Sequence, residues 1–591
     1  MTVLNKSPAA LIKTMDFSRL AEIFEKLSAT SKRLEITDDL AELFSECTPK
    51  NVKQIVYLIT GVLVPQHYGI ELGMGDKLCM RSIALVSGKT AREVEAHYRK
   101  TGDLGDTAQE FLKGKTQRSL GGGKLSTEKV YDNFYKIAMS GGSGSQELKI
   151  KLLADLLGSA TPVEAKHLIR YVTGKQRLGA GEATVIDALS VLKAKDKSLR
   201  PVLEKAYNFS SDLGLVAELF LEKGLDGLKH LKAKPFSPIQ PALAERLPDA
   251  EEIIAKLGEC AVDAKYDGFR LQVHKQGEKV EIYSRRLEKM THMFPDLVSE
   301  FRKLKLKDFI IEGEAIAFNE KTKKFLPFQA TIQRKRKHGV EEKAKLLPLK
   351  FFVFDVLLLD GKDYTESPYS KRRKVLKQAF GNGKTVMPSQ QITAKTPLDL
   401  QDFFEEVVGE GLEGIIAKDL NAPYTAGARK FAWIKLKKSY AAGLTDTVDG
   451  VIVGYYLGKG KRTKFGLGGL LAAVYDEKNG RFRTICKIGT GFSEEQMTWF
   501  EKTLSKISLK EKPKNVDALI KADVWVQPKI VVEINADEIT KSPVHTAGMR
   551  GKEGLALRFP RLVKIREDKS PTQATTEKEI EELFEMQGKF S

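Results

Sequence analysis

Hydrophobic residues recur at helical spacing over the first third of the chain. Leu148, Leu152 and Leu156 follow one another four positions apart, so they lie on one face of a helix. Glycine clusters divide this region at residues 73–75, 121–123, 141–145 and 179–181. We therefore predict that residues 1–234 form an all-α domain whose helices are separated by glycine-rich turns.

The pattern changes after a proline-rich stretch at residues 235–241. Proline cannot continue a helix, so this stretch predicts an interdomain linker. Short apolar or alternating runs follow and predict strands, and residues 276–279 predict a hairpin loop between the first two. These runs cover residues 270–274, 279–284, 309–318 and 349–359.

A second joint lies at residues 439–443, and strand-like runs resume beyond it. They cover residues 449–457, 469–475 and 481–488. Ser493 with Gln496 and Thr576 with Glu579 have the spacing of capping boxes, so each pair predicts the start of a helix. The last third is therefore predicted to be a small β-barrel or sandwich with added helices, and an oligonucleotide-binding (OB-fold) barrel matches that size.

Composition sets limits on the function. The chain has 591 residues, of which 42% are hydrophobic, and a net charge of +19. That charge predicts a polyanionic partner, with nucleic acid first and an anionic membrane surface second. No apolar run approaches the roughly 18 residues of a membrane span. The four cysteines are scattered without a CxxC pair, which argues against a zinc site or a disulfide framework.

The chain start bears on the compartment. The first twenty residues lack the apolar run of a signal peptide, so we expect an intracellular, cytoplasmic protein, or a nuclear one if the source is eukaryotic.

The strongest candidate nucleophile is the lysine of Lys265-Tyr266-Asp267-Gly268, which follows a strand-like stretch at residues 260–264. Alone, the motif favours an ordinary turn with an exposed lysine over a nucleophile. Nucleotidyl transfer through lysine needs an unprotonated amine, a divalent metal and cations that hold the departing phosphates. A pKa near 10.4 must fall by about 3 units, or roughly 4 kcal/mol, for half the amine to be neutral at pH 7.5.

The chain supplies such groups in order after Lys265. They are Arg270, Ser284-Arg285-Arg286, Glu312-Gly313-Glu314, Phe354-Asp355, Glu413-Gly414 and Trp433-Ile434-Lys435-Leu436-Lys437. The alternation in the last segment places both of its lysines on one strand face.

This ordered set resembles the motifs of the covalent nucleotidyltransferases: DNA ligases, RNA ligases and mRNA capping enzymes. Two C-terminal segments, Arg558-Phe559-Pro560-Arg561 and residues 566–571, resemble the last motif of ATP-dependent DNA ligases in particular. The helical region resembles the DNA-binding domain of archaeal and eukaryotic replicative ligases, and the archaeal form is the more similar. The resemblance covers nearly the whole chain.

The resemblance implies a multidomain fold with four segments. These are an all-α DNA-binding domain at 1–234, a linker at 235–241, an α+β nucleotidyltransferase (adenylation) domain at 242–438 and a β-barrel OB-fold domain with a C-terminal helix at 439–591. It further implies that the barrel domain closes on the active site for the first step and then swings away to hold DNA.

The resemblance also assigns roles to single residues. Lys265 would become Lys265-AMP by attacking the α-phosphate of ATP, and Phe354 would stack on the adenine. Asp263 stands where the family usually has a glutamate that contacts the adenine amino group. Mg²⁺ would be held by Glu314 and Glu413, with Glu312 as the local competitor of Glu314. The expected ribose and phosphate contacts are Arg270, Arg285, Glu314, Arg429, Lys435, Lys437, Arg566 and Lys569, with Asp568 orienting the last two.

Nicked double-stranded DNA is the implied partner, and a monomer is expected. The glycine clusters fit phosphate binding at helix N-termini, although they are equally plain interhelix turns. The basic run at 334–337 is either a DNA contact or a solvated loop. Binding to a sliding clamp is left open, because residues 116–121 lack the aromatic anchors of the usual clamp-binding motif.

Other functions stay open at this point. An RNA ligase or capping guanylyltransferase is disfavoured by the large helical domain and by the motif at 566–569. A non-catalytic DNA-binding protein with a decayed site is disfavoured by the presence of the lysine and both metal-side glutamates. An NAD-dependent ligase usually carries a four-cysteine zinc module, which is absent here. Some relatives accept ADP or other donors in place of ATP.

Overall fold

A computed structural model describes residues 14–113, 124–319, 324–326, 328–334, 339–437, 447–458 and 465–589. The chain forms two compact units. The first comprises residues 1–246, 251–400 and 416–435, and the second comprises residues 247–250, 401–415 and 436–591. The segments at 114–123, 335–338 and 438–446 lie outside the described residues, and with them the 116–121 stretch, Gly121 to Gly123 and the second predicted joint.

Among the described residues, twelve α-helices fill the N-terminal part of the first unit, which confirms the predicted helical region. Helices α1 to α12 are Phe17–Ala29, Arg33–Ser45, Pro49–Thr60, Asp76–Ser87, Ala91–Thr101, Leu104–Leu112, Thr127–Met139, Ser145–Ser159, Pro162–Val172, Glu182–Ala194, Arg200–Ser210 and Leu213–Leu228. A 3₁₀ turn, Gln66–Tyr68, follows α3.

The buried face of α8 agrees only in part with the predicted one. Leu156 is buried and Leu152 is half-buried against the core, but Leu148 is 48% exposed. Ile150, Leu153 and Leu157 are buried as well. This helix is apolar over most of its circumference, so the helices packed around it, rather than the leucine spacing, decide which side is covered.

Two sheets follow the helical region. Strands β1 to β12 are Leu243–Arg246, Cys260–Lys265, Phe269–Gln276, Lys279–Ser284, Asp308–Asn319, Lys324–Phe325, Leu349–Leu359, Lys362–Asp363, Val386–Pro388, Gln391–Ala394, Gly414–Asp419 and Arg429–Lys437. One sheet has the order β1-β12-β11-β2-β10; the other has the order β4-β3-β5-β7-β8, with β6 on β5 and β9 on β7. The predicted hairpin is confirmed, since Gln276 pairs with Lys279 around Gly277, whose φ is +57°.

Helices also lie between these strands, and the sequence patterns did not predict them. Helices α13 to α18 are Ala250–Leu257, Pro295–Lys303, Phe328–Thr331, Val340–Leu346, Tyr369–Phe380 and Pro397–Gly409. Two 3₁₀ turns are Thr291–Met293 and Ile332–Arg334.

The proline-rich segment before β1 packs against its neighbours in the first unit. Ile239 is buried, and its N–H donates to Gln272 Oε1 at 2.8 Å. The N–H of Phe236 donates to His274 Nδ1 at 2.9 Å. Ser211 Oγ, at the end of α11, donates to the carbonyl of Pro238 at 2.7 Å.

The second unit contains curled, mainly antiparallel sheets. Strands β13 to β23 are Val448–Leu457, Leu467–Asp476, Arg481–Ile488, Ser508–Leu509, Val516–Asp517, Val524–Val526, Val531–Asn535, Glu538–Ser542, Ala547–Arg550, Glu553–Arg558 and Arg561–Ile565. The larger sheet has the order β16-β18-β13-β14-β15-β17, with β19 on β13 and β23 on β19; the smaller has the order β20-β22-β21.

Two further helices, α19 (Glu494–Lys506) and α20 (Glu577–Lys589), complete this unit, and the 3₁₀ turn Pro571–Gln573 precedes α20. Both predicted capping boxes are confirmed. Ser493 Oγ accepts from the N–H of Gln496, and Thr576 Oγ1 accepts from the N–H of Glu579.

Candidate active site

The Lys265 turn lies directly against strand β5. Lys265 ends β2, and Gly268 precedes β3. A Cβ at Gly268 would stand 2.3 Å from the Ala315 carbonyl oxygen and 3.2 Å from Glu314 Cγ. Only glycine lets the turn approach this closely, and the approach brings the lysine turn beside Glu314.

One face of β3 and β5 carries the polar groups of the site. Across the strand pair Arg270 faces Glu314, and Gln272 faces Glu312. Glu312 is 1% exposed and accepts hydrogen bonds from Arg270 Nη2 and from Tyr424 OH, both at 2.8 Å. The carboxylate of Glu312 is thus held within the protein, while the half-buried Glu314 lies nearer the lysine turn.

Arg270 belongs to the same buried contact. Its Nη1 donates to the carbonyl of Ala242 at 2.8 Å, and its guanidinium lies 5.4 Å from the centroid of the Phe354 ring. The structure therefore places the Arg270 guanidinium between the Glu312 carboxylate and the ring of Phe354, which is the predicted adenine platform.

Phe354, on β7, is half-buried beside a buried cation. Lys418 Nζ lies 5.0 Å from the centroid of the Phe354 ring and donates to the Phe354 carbonyl at 3.0 Å. Trp433 meets Phe354 edge-on, with ring centroids 5.9 Å apart. Burial lowers the pKa of Lys418, and the facing Asp263 carboxylate opposes that shift. The sequence analysis gave Lys418 no role, although this lysine lies only four residues after Gly414.

Asp263 lies on β2, two residues before Lys265, and is 1% exposed. Its carboxylate pairs with Lys418 Nζ at 2.5 Å and accepts from Tyr369 OH at 3.0 Å. It also accepts from Gln391 Nε2 at 2.8 Å and from Ser389 Oγ at 3.2 Å.

The remaining predicted contacts fall into three groups. Arg285 is exposed just after β4, and Lys435 is half-buried on β12. Lys437 and Glu413 form an ion pair with each other. Arg429 begins β12, and its side chain lies outside the described part of the structure.

In the second unit, Arg566 and Lys569 share one acceptor. Arg566 Nη1 lies 3.1 Å and Lys569 Nζ 2.5 Å from the Asp449 carboxylate. Arg566 also forms a two-point contact with Asp568, at 2.9 and 2.8 Å. This contact holds the pKa of Asp568 well below its usual range.

One basic residue proposed for DNA is a structural residue instead. Arg334 is fully buried, and its guanidinium donates to both oxygens of Asp296 and to the Leu347 carbonyl. The prediction of a DNA contact is therefore wrong for Arg334, because a guanidinium satisfied inside the fold cannot reach phosphates. The other three residues of that run lie outside the described residues.

Three glycine clusters of the helical region precede helix N-termini. Gly75, Gly144 and Gly181 stand at the N-caps of α4, α8 and α10, and no side chain caps these ends. A Cβ at any of the three would meet no atom within 4 Å. These N-termini are therefore open to a ligand, and backbone N–H groups at such ends favour anions.

Phe559 is a surface feature that sequence reasoning left without a role. It is 59% exposed, has φ +52° and lies 5.1 Å from the Arg558 guanidinium. The sequence contains a pattern that could have identified Phe559, because an aromatic residue flanked by Arg558 and Arg561 is typical of nucleic-acid contacts.

Neither a membrane helix nor a preformed metal cluster is found in the described part of the chain. None of its helices is long and apolar enough to cross a membrane. It contains no group of three or more His, Cys, Asp or Glu side chains that could hold a metal ion. Glu314, a half-buried carboxylate beside the lysine turn, nevertheless fits a magnesium ion that is also bound by phosphates, since Mg²⁺ usually has few protein ligands.

Comparisons with known proteins cover most of the chain. Residues 16–190 match the model of the DNA ligase N terminus, residues 241–437 match the ATP dependent DNA ligase domain, and residues 463–569 match the ATP dependent DNA ligase C terminal region.

Curated relatives match at nearly full length. A probable DNA ligase of Dictyoglomus turgidum is 48% identical, over 97% of this chain and 98% of the relative. The DNA ligase of Saccharolobus solfataricus is 41% identical over the same shares. The solved structure titled Pmar-Lig_Pre. covers 93% of this chain and 99% of its own, with a TM-score of 0.56 at 16% identity, and supports the fold alone.

Proposed function

Since the chain belongs to the ATP-dependent DNA ligase family, whose members seal nicks in duplex DNA, we propose that Lys265 is its adenylated nucleophile. The observation that carries this proposal is the packing of Gly268 on β5, which brings the lysine turn beside Glu314. A carboxylate there can serve the ribose or a phosphate-bound cation while the amine attacks.

The first step forms a P–N bond between Lys265 Nζ and the α-phosphorus of ATP. The P–O bond to the β-phosphate breaks, pyrophosphate leaves, and Nζ loses its proton. In the second step a 5′-phosphate oxygen of the nick takes the AMP and the P–N bond breaks. In the third the 3′-hydroxyl attacks that phosphate and AMP leaves. Each step is a displacement in which positioning and charge neutralisation supply most of the acceleration.

The other site residues have supporting roles in this proposal. Phe354 stacks on the adenine, and Arg270 and Arg285 neutralise ribose-phosphate oxygens. Glu314 and Glu413 hold Mg²⁺, which supplies charge neutralisation at the phosphates when bound. The cations assigned to the α-phosphate are Arg429, Lys435 and Lys437, and those assigned to the departing pyrophosphate are Arg566 and Lys569.

The domains divide the work as the resemblance implies. Residues 1–234 bind DNA, residues 242–438 adenylate, and residues 439–591 form an OB-fold barrel that grips the duplex. The open N-termini of α4, α8 and α10 support backbone contacts to phosphates. Phe559 supports a contact of the barrel with the bases or sugars of DNA.

Self-adenylation tests the proposal directly. The full chain is incubated with Mg²⁺ and ATP labelled at the α-phosphate, without DNA, and the denatured protein is assayed for label. Wild type should retain label and Lys265→Ala should not. Lys303→Ala, at a 67% exposed lysine on α14, is the matched control and should label as wild type does. Equal labelling of Lys265→Ala would refute the assignment.

A further inference from the structure

The acceptor sites of the Asp263 carboxylate are filled by the protein itself. Oδ1 accepts from Gln391 Nε2 and Ser389 Oγ, and Oδ2 accepts from Lys418 Nζ and Tyr369 OH. An ionised carboxylate offers about four lone-pair sites. An adenine amino group could bond to Asp263 only by displacing one of these buried donors.

Gln391 lies directly opposite Asp263 in the antiparallel pair of β10 and β2. Because a carboxylate only accepts, the amide nitrogen of Gln391, not its oxygen, faces Asp263. That nitrogen also donates to Tyr369 OH at 2.8 Å, so both of its hydrogens are used. The orientation of the amide is thereby fixed, and Oε1 is directed away from Asp263 as an acceptor.

The same neighbours connect Gln391 to the adenine platform. Tyr369 OH and Lys418 Nζ, which hold Asp263, also lie 3.4 Å and 3.0 Å from the Phe354 carbonyl oxygen. Gln391 is half-buried on the strand next to β2. An oriented acceptor therefore belongs to the same hydrogen-bonded cluster as the backbone of Phe354, on whose ring the base is proposed to stack.

Resting on the proposed function, we propose that Gln391 Oε1 accepts a hydrogen bond from the 6-amino group of adenine and is the residue that selects ATP. Guanine and hypoxanthine present a carbonyl at that position, which would oppose the amide oxygen, and an unsubstituted purine presents no donor. A site that bonds a substrate N–H rejects analogues lacking it, because its own polar group is then left unpaired.

The test pairs a change in the protein with a change in the nucleotide. The rate of self-adenylation, divided by the nucleotide concentration, is measured for two α-labelled nucleotides. One is ATP, and the other is purine riboside triphosphate, which lacks only the 6-amino group. Wild type should prefer ATP by roughly 10- to 100-fold. Gln391→Met should use both nucleotides within about 3-fold of each other, mainly by losing activity with ATP.

Two further variants distinguish the loss of the hydrogen-bond acceptor from a purely structural effect of the substitution. Gln391→Asn withdraws the oxygen by one methylene and should lose the preference, which covers the case in which Gln391→Met does not fold. Gln378→Met, at an exposed glutamine of α17, should behave as wild type.

The outcomes distinguish this inference from the proposed function. Labelled protein in which Gln391→Met or Gln391→Asn keeps the full preference would overturn the role of Gln391 and leave Lys265-AMP standing. A wild-type chain that takes no label from ATP would overturn the proposed function and, with it, this inference.

Discussion

Gly268 lies so close to Ala315 that a methyl group at Gly268 would stand 2.3 Å from the carbonyl oxygen of Ala315. This contact fixes the distance between the Lys265 turn and β5. The glycine of the Lys265 motif is therefore explained by packing against β5 rather than by an unusual backbone angle.

Gly268→Ala should impair both stability and adenylation. The methyl group must push the turn away from β5, which we expect to cost about 1–3 kcal/mol of unfolding free energy and at least a tenfold loss in labelling rate. Urea unfolding and label incorporation measure the two effects. Gly409→Ala is the control, because no atom lies within 4 Å of a Cβ there. A labelling rate unchanged in Gly268→Ala would contradict the role given to this contact.

Substitutions at Glu312 and Glu314 should have different effects, the first mainly on stability and the second mainly on self-adenylation. Glu312→Gln replaces a buried charge that accepts from Arg270 and Tyr424, so it should lower the unfolding free energy by ~2 kcal/mol. Glu314→Gln should cost less stability than Glu312→Gln and reduce self-adenylation by roughly 10- to 100-fold. The same two assays apply. Should Glu314→Gln label at the wild-type rate, Glu314 is not the nucleotide-side carboxylate.

Asp355, the residue after Phe354 on β7, forms a fully buried ion pair with Arg372, with bonds of 2.7 and 3.0 Å. Asp355→Asn leaves the guanidinium without its counter-charge, and we expect a loss of ~3–5 kcal/mol in unfolding free energy. Asp402→Asn, at an exposed carboxylate on α18, should change stability by less than about 0.5 kcal/mol. Comparable midpoints in urea for both variants would count against a buried pair.

His274 should make stability depend on pH. Burial lowers its pKa from 6.5 to about 3, with Glu281 opposing and His67 adding to the shift. The unfolded chain therefore binds the proton first as the pH falls. The contribution of His274 is full above about pH 6.5 and declines from there towards pH 3, by up to ~1.4 kcal/mol per pH unit.

Urea unfolding at pH 7.5 and pH 5 checks this dependence. The loss between the two values should be smaller in His274→Gln, whose amide oxygen can still accept from the N–H of Phe236. Equal losses in wild type and variant would show that His274 does not titrate in this way.

Local patterns predicted the strands and helix caps well because these depend on neighbouring residues. The hairpin at Gly277 and the capping box at Ser493 follow from spacing alone. A motif was enough to prefer Glu314 over Glu312 as the predicted metal ligand. The motif does not show that Glu312 is bound inside the fold, because its partner Tyr424 lies 112 positions away.

Predictions failed where distant packing decides. Leu148 has the spacing of a core residue and is exposed, and Arg334 belongs to a basic run and is buried against Asp296. The Asp263 cluster joins residues from β2, α17, β10 and β11, so no stretch of sequence shows that its carboxylate is already occupied.

The three prolines of residues 235–241 have a mechanical consequence. Each ring fixes one φ angle, and Phe236, Pro238 and Ile239 are bonded to residues on both sides of the segment. Because the segment is restrained in this way, a displacement at one of its ends is passed on to the other end. A displacement of the helices that precede this segment would therefore reach β3, the strand that follows the Lys265 turn.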